Sequence, residues 1–203
     1  PLSAILGPGL LGRVFDGILR PLNILEEKAG IYIRRGISAS TLDTEKRWEF
    51  QPVDKKNEIV SGGDIIGTVQ ETPLIEHRIL VPPGVKGELA ELAEKGNYTI
   101  EDRIALIRDE GGEEHEITMV QRWHVRKARP VRERLRPNLP LITGQRVVDI
   151  FFPVAKGGTA AIPGGFGTGK TVLQQSLARW SDADIIIYIG CGERGNEMTD
   201  RKS

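Results

Sequence analysis

Gly164-Gly165-Phe166-Gly167-Thr168-Gly169-Lys170-Thr171 fits the spacing G-x-x-x-x-G-K-[ST] at every specified position. Glycines at these intervals let successive backbone N–H groups turn inward around an oligophosphate, with no Cβ atoms in the way. A helix beginning at the end of the loop adds unpaired N–H groups and a positive dipole end. Lys170 then reaches the terminal phosphates, and the Thr171 hydroxyl is placed to ligate Mg²⁺. The bland alternative is a glycine-rich turn that binds nothing. Strand–loop–helix order around the Gly-Lys-Thr ending argues against it.

The elements that must position this loop are legible on either side. Gly158-Thr159-Ala160-Ala161-Ile162-Pro163 reads as a short apolar strand leading in. Beyond the loop, apolar residues at 172, 173, 177 and 180 recur at helical spacing. Ala183-Asp184-Ile185-Ile186-Ile187-Tyr188-Ile189-Gly190 is a continuous β-branched run, predicted to be a central strand of a parallel sheet covered on both faces. It would deliver Cys191 to Glu197 at the carboxyl edge of the sheet, where ligands of open α/β sheets bind. Among these residues Glu193 is placed to polarise an attacking water, or else to pair with Arg194 or Lys170 and hold the loop. Position alone does not decide between those roles. Arg194 is open in the same way, between a phosphate contact and a structural pair with an acid.

Composition narrows the class. The chain has 203 residues, 39% hydrophobic and 28% charged, the balance of a soluble globular protein of one large or two small domains. Formal net charge is zero, which speaks against a surface dominated by nucleic-acid binding. No apolar run approaches the length of a membrane span, and no signal-peptide pattern opens the chain. One cysteine, Cys191, and a phosphate loop suggest a reducing, nucleotide-rich compartment. His77, His115 and His124 are scattered without companion cysteines, so Mg²⁺ arriving with a nucleotide is the only metal inferred. No apolar strand is apparent after Gly190 to supply a second Mg²⁺-side carboxylate, so the chain is expected to be a segment of a longer protein.

Along the chain, residues 1–21 read as turns and short extended pieces, Leu22 to Gly30 as a short helical segment, and Ile31 to Gly36 as a strand. From about Thr41 to Val125 the texture is all-β. Runs at 46–50, 64–70, 74–81, 86–92, 97–101, 103–108 and 115–121 are separated by Gly- and Pro-rich turns, the pattern of a small barrel or sandwich. The rhythm of 60–69 and 81–87 resembles biotinyl and lipoyl modules. Lys86 lacks the methionine that flanks a biotinylated lysine, so a structural β-domain is the better reading. Residues 122–136 hold seven Lys/Arg and one acid. With prolines at 130, 137 and 140 they read as a solvated linker rather than a nucleic-acid patch. Residues 145–152 suit a short buried helix or strand.

Four phrases carry a family resemblance: Gly9 to Gly17, Pro140 to Arg146, Phe151 to Thr159, and Gly190-Cys191-Gly192-Glu193-Arg194-Gly195-Asn196-Glu197-Met198-Thr199-Asp200. In family order and over essentially the whole chain, they resemble the catalytic A subunit of V-type and archaeal A-type rotary ATPases. The Gly-Glu-Arg-Gly-Asn-Glu phrase and the long insert separate it from the F-type β and the non-catalytic B subunits. Gly165, Thr168 and His124 depart from the usual residues without touching a required loop position.

The resemblance implies an α/β fold: the start of a RecA-like nucleotide-binding domain, with a mostly-β inserted bulge domain. Residues 1–42 would end an N-terminal barrel and enter the nucleotide-binding domain. Residues 43–128 would be the bulge, implicated in peripheral-stalk contacts, and 129–203 the truncated nucleotide-binding part. Residues 164–171 would hold ATP or ADP, with Lys170 on the β/γ-phosphates, Thr171 on Mg²⁺, Glu193 activating water and Arg194 beside it. Implied partners are the B subunit in an alternating hexamer, which lends an arginine finger, and the central and peripheral stalks. The complex would sit peripherally on the cytoplasmic face of a membrane, coupling ATP hydrolysis or synthesis to H⁺ or Na⁺ transport. The Mg²⁺-site aspartate strand, adenine-pocket aromatics and C-terminal helical domain lie outside this sequence, so the isolated segment is expected not to turn over. Competing readings are a hexameric helicase or termination factor, a type III secretion ATPase, and a stalk-docking module with an inert nucleotide half.

Overall fold

The computed structural model describes residues 2–32, 35–54, 58–129, 133 and 135–192. The chain forms two compact units, Pro1–Pro130 and Val131–Ser203.

The first unit is built on antiparallel sheet. β1 (Ser3–Leu6) is followed by helix α1 (Leu22–Ala29), then β2 (Trp48–Pro52), β3 (Ile59–Ser61), β4 (Ile65–Gln70) and β5 (Glu76–Leu80). β6 (Lys86–Leu92), β7 (Gly96–Tyr98), β8 (Ala105–Arg108), β9 (Glu114–Ile117) and β10 (Gln121–His124) complete it. Two four-stranded sheets, ordered β5-β4-β2-β7 and β3-β6-β8-β9, hold most of these strands. Alternation explains the pairing: Trp48 and Phe50 in β2 are buried while Glu49 and Gln51 are exposed, and in β6 Gly87 and Leu89 are buried while Lys86 and Glu88 are exposed. Phe50, Ile66, Val69 and Ile79 of one sheet join Val60, Leu89, Ile107 and Ile117 of the other in one core.

Two glycines permit close approach inside this core. A Cβ on Gly67 would enter the Phe50 ring, and one on Gly87 would enter the backbone of Arg108. Both sites lie on paired strands, so the space is filled by sheet neighbours and cannot be cleared.

β1 pairs with β10, Ser3 opposite His124 through Leu6 opposite Gln121, and so binds the chain start to the end of the β-region. A buried carboxylate adds to this closure. Glu71, with its side chain 5% exposed, accepts from the Gly9 amide at 2.7 Å and the Leu11 amide at 3.2 Å, and meets His77 Nδ1 at 3.0 Å. Lys86 stands in the β3–β6 ladder opposite Ser61 and pairs with Glu110 at 3.3 Å. It is a strand residue rather than a presented hairpin tip.

The expected runs over 46–121 each overlap a strand, β1 is one of the short extended pieces expected over 1–21, and the sequence reading missed β3 and placed most of β10 in the linker. The strand expected over 31–36 is not formed among its described residues. Ile31 and Tyr32 lie in a turn, 89% and 83% exposed.

The second unit opens with β11 (Pro140–Leu141), α2 (Arg146–Phe151) and β12 (Val154–Ala155), and closes with α3 (Lys170–Trp180). β11 and β12 form an antiparallel pair, Pro140 opposite Ala155 and Leu141 opposite Val154. Two expectations are corrected here. Gly158–Pro163 and Ala183–Gly190 have no ladder partner and are not strands. Ile187 and Ile189 are 79% and 76% exposed. A β-branched run favours extended backbone, but a parallel strand exists only through its neighbours' hydrogen bonds. Among the described residues no strand lies alongside to supply them. No helix among the described residues is long and apolar enough to cross a membrane.

Candidate functional site

The phosphate-loop spacing folds as a loop running directly into a helix. Gly167 and Gly169 both adopt left-handed backbone, φ 76° and 82°, which a side chain would strain. Gly169 is also the N-cap of α3 and offers no capping oxygen to the first-turn amides. Leu173 N donates to the Gly169 carbonyl at 3.0 Å and closes the first helical turn. Thr168 Oγ1 donates to the Gly165 carbonyl at 2.9 Å, bracing the loop from within. A Cβ on Gly164 would stand 2.6 Å from that same Thr168 oxygen, so a side chain there would displace the hydroxyl from its bond to Gly165. The Lys170 ammonium donates to the Gly164 carbonyl across the loop mouth. Residues 163–169 are exposed, and Phe166 at the loop tip is 91% exposed.

These features suit an anion. A glycine-rich loop, a helix start and a lysine adjoin, with no carboxylate from the loop itself. Thr171 opens the helix next to Lys170, where its hydroxyl can serve a hard cation bound to the same anion. The residues present therefore fit a nucleotide's phosphates and Mg²⁺. Of the predicted site residues, Gly164 through Thr171 are brought together. Glu193 and Arg194 fall outside the described residues.

The sequence reading missed the polar fastenings around the loop. Asp182, just past α3, accepts from the Ile142 amide at 3.0 Å with Oδ1 and pairs with Lys156 Nζ at 2.8 Å through Oδ2. Its own amide donates to the Ile142 carbonyl at 2.9 Å. Asp149 in α2 accepts from Thr143 twice, from Oγ1 at 2.6 Å and from the amide at 3.0 Å. Thr143 is 1% exposed. Both carboxyls are held below the ordinary carboxylate value, Asp182 chiefly by Lys156 and Asp149 chiefly by the Thr143 hydroxyl. A Thr six residues before an Asp at a predicted helix was the one available signal for the second fastening. Nothing local marked the first. An open cleft of about 460 Å³ borders Lys156, Gly158, Asp182 and Ile185 and contains no phosphate-loop residue. The loop chemistry, not the cleft, defines the site.

Elsewhere, Asp109, Glu113 and His115 converge on the β8–β9 turn, with ligand atoms within 4.8 Å of one another. Asp109 is already engaged there by the amides of Gly111 and Glu113 and by His115, which accounts for the grouping as turn structure.

A β-sandwich-like unit followed by a phosphate loop at a helix start defines the class. The chain belongs to the ATP synthase alpha/beta family. Residues 39–126 match the ATPsynthase alpha/beta subunit barrel-sandwich domain, and residues 144–202 match the nucleotide-binding domain of the ATP synthase alpha/beta family. Within it, the chain is 62% identical over 199 residues to the A subunit of the A-type ATP synthase of Methanopyrus kandleri, covering 98% of this chain and 34% of that protein. It is 57% identical over 200 residues to the V-type ATP synthase alpha chain of Acetivibrio thermocellus, with the same coverage. To the corresponding A-type protein of Thermococcus sibiricus it is 56% identical over 199 residues, again with that coverage. The resemblance to A subunits drawn from the sequence is borne out. The chain spans about a third of the length of the curated relatives it matches.

Proposed function

We propose that this chain is the phosphate-binding and bulge segment of a rotary-ATPase catalytic A subunit, which is a translocase coupling ATP hydrolysis or synthesis to H⁺ or Na⁺ transport. The observation that carries the reading is the Gly164–Thr171 loop entering α3 with the Lys170 ammonium over its mouth. Lys170 would neutralise β/γ-phosphate oxygens, and the amides of the loop and first helical turn would share the remaining charge. Thr171 would hold Mg²⁺, which supplies charge neutralisation between the phosphates when bound. Glu193 is assigned to orienting and polarising the attacking water, and Arg194 to the nucleotide side of the same cluster.

In this reading residues 1–42 enter the nucleotide-binding domain, 43–128 are the bulge and 129–203 begin the RecA-like domain. The B subunit completes the site in an alternating hexamer, the stalks are further partners, and the assembly lies on the cytoplasmic face of a membrane. The chain's relatives by name, together with the neutral net charge, favour this over a helicase, a secretion ATPase or a nucleic-acid binder. The isolated chain is expected to bind nucleotide and not to turn it over.

Titration of the chain with Mg-ATP and Mg-ADP, beside Lys170→Ala, tests it. Binding that the substitution abolishes supports the reading. Binding that survives it places the nucleotide elsewhere, and steady hydrolysis abolished by Lys170→Ala would overturn the claim that the segment does not turn over.

A further inference from the structure

We infer that Lys156 and Asp182 form an ionic clasp that holds the phosphate loop in its binding shape, both acting as positioning residues; this rests on the nucleotide reading above. Lys156 lies just past β12, before the chain enters the loop, and Asp182 lies just past α3, after the chain has left it. Their side chains meet at 2.8 Å. The chain thus departs from the clasp at Lys156, passes through Gly164–Thr171 and α3, and returns to it at Asp182.

Asp182 fastens the return at a second point, exchanging two hydrogen bonds with Ile142 at 3.0 and 2.9 Å. The Lys156 amide in turn donates to the Leu139 carbonyl at 2.8 Å. One carboxylate therefore ties the far end of the helix to both arms of the β11–β12 pair.

Packing does only part of this work. No residue of α3 is fully buried, and Leu173 to Ala178 are half-buried, so packing seats the helix only in part and leaves the rest to polar ties. Gly144 lies close against the end of the helix, where a Cβ would stand 3.1 Å from Trp180 Cβ. A loop with tied ends has fewer conformations to lose when it closes on a ligand. Breaking the tie returns that freedom to the unbound state and weakens binding, while every phosphate-contacting group stays in place. The pair is about half exposed, 46% and 41%, so its strength falls with salt.

The test is a double-mutant cycle on the whole chain, with Lys156→Met, Asp182→Asn and the pair, titrated with Mg-ADP beside Lys170→Ala. Asp182→Asn keeps a side-chain oxygen for the Ile142 amide, so the ionic part is isolated. Each single substitution is expected to weaken binding roughly threefold to tenfold, the double no further, and added salt to shrink the wild-type advantage. Far-UV circular dichroism should stay unchanged. Singles that bind like wild type, or effects that add, overturn the clasp while Lys170→Ala still reports on the nucleotide reading. If wild type shows no Lys170-dependent binding, that reading fails by itself. Amide exchange over 164–175 then decides the clasp: faster exchange in both singles supports it, and unchanged exchange overturns it.

Discussion

The Lys170 ammonium donates to the carbonyl of Gly164, so the side chain proposed to meet a phosphate lies folded across its own loop. Binding an anion there exchanges one hydrogen bond for another that carries charge on both sides. The gain is the difference between a neutral and a charge-assisted acceptor. Lys170→Ala removes both. It is expected to weaken Mg-ATP binding by roughly ten- to a hundredfold, with helix content unchanged, as read by calorimetric titration and circular dichroism. Lys170→Arg should not restore it, because a planar fork cannot follow the ammonium's path across the loop.

Glycines in this chain are expected to divide sharply by environment. Nothing lies within 4 Å of a Cβ on Gly165, and its φ is not left-handed, so Gly165→Ala should be neutral or stabilising by about 0.4–1 kcal/mol. Gly169→Ala must place a side chain at φ 82°, costing about 1–2 kcal/mol locally and weakening nucleotide binding. Gly87→Ala drives a methyl into the Arg108 backbone and should cost the first unit several kcal/mol, about 3 or more. Denaturant melts of the three variants rank them.

Glu71 binds the 9–11 segment to the β4–β5 hairpin from a nearly closed site. Glu71→Ala leaves the Gly9 and Leu11 amides without their acceptor. It should destabilise the first unit by about 1–3 kcal/mol in urea unfolding. Glu71→Gln keeps one acceptor oxygen and should cost less. Nucleotide binding should follow neither substitution.

Acid should loosen the fastenings around the phosphate loop. Asp149 and Asp182 have folded values below the ordinary 3.8, set first by the Thr143 hydroxyl and by Lys156 respectively. A carboxyl depressed in the folded state contributes its stability fully above the unfolded value and loses it as pH falls through the folded one. The second unit should therefore hold steady above about pH 5 and weaken progressively below 3.8. Asp182→Asn and Asp149→Asn should each flatten that slope, measured by amide exchange or melting across the acid range.

The turn into α3 was legible in sequence because its spacing is local. Left-handed glycines, a helix start and a lysine beside it all fall within a few consecutive residues, whereas the strand expected to lead in over 158–163 is not formed. Most strands over 46–121, β3 excepted, were legible for a related reason, since alternation such as Trp48-Glu49-Phe50-Gln51 states which face is buried before any pairing is known. Tertiary structure alone decided the rest. β1 became a strand because β10 lies beside it, and Ile185 to Ile189 did not because no described strand does, although the second run has much the stronger β-propensity. Glu71 reaching Gly9, and Asp182 reaching Ile142 and Lys156, join residues far apart in the chain. A carboxylate's type reveals that it must find donors when buried, but which donors it finds is settled only by how the chain folds back on itself.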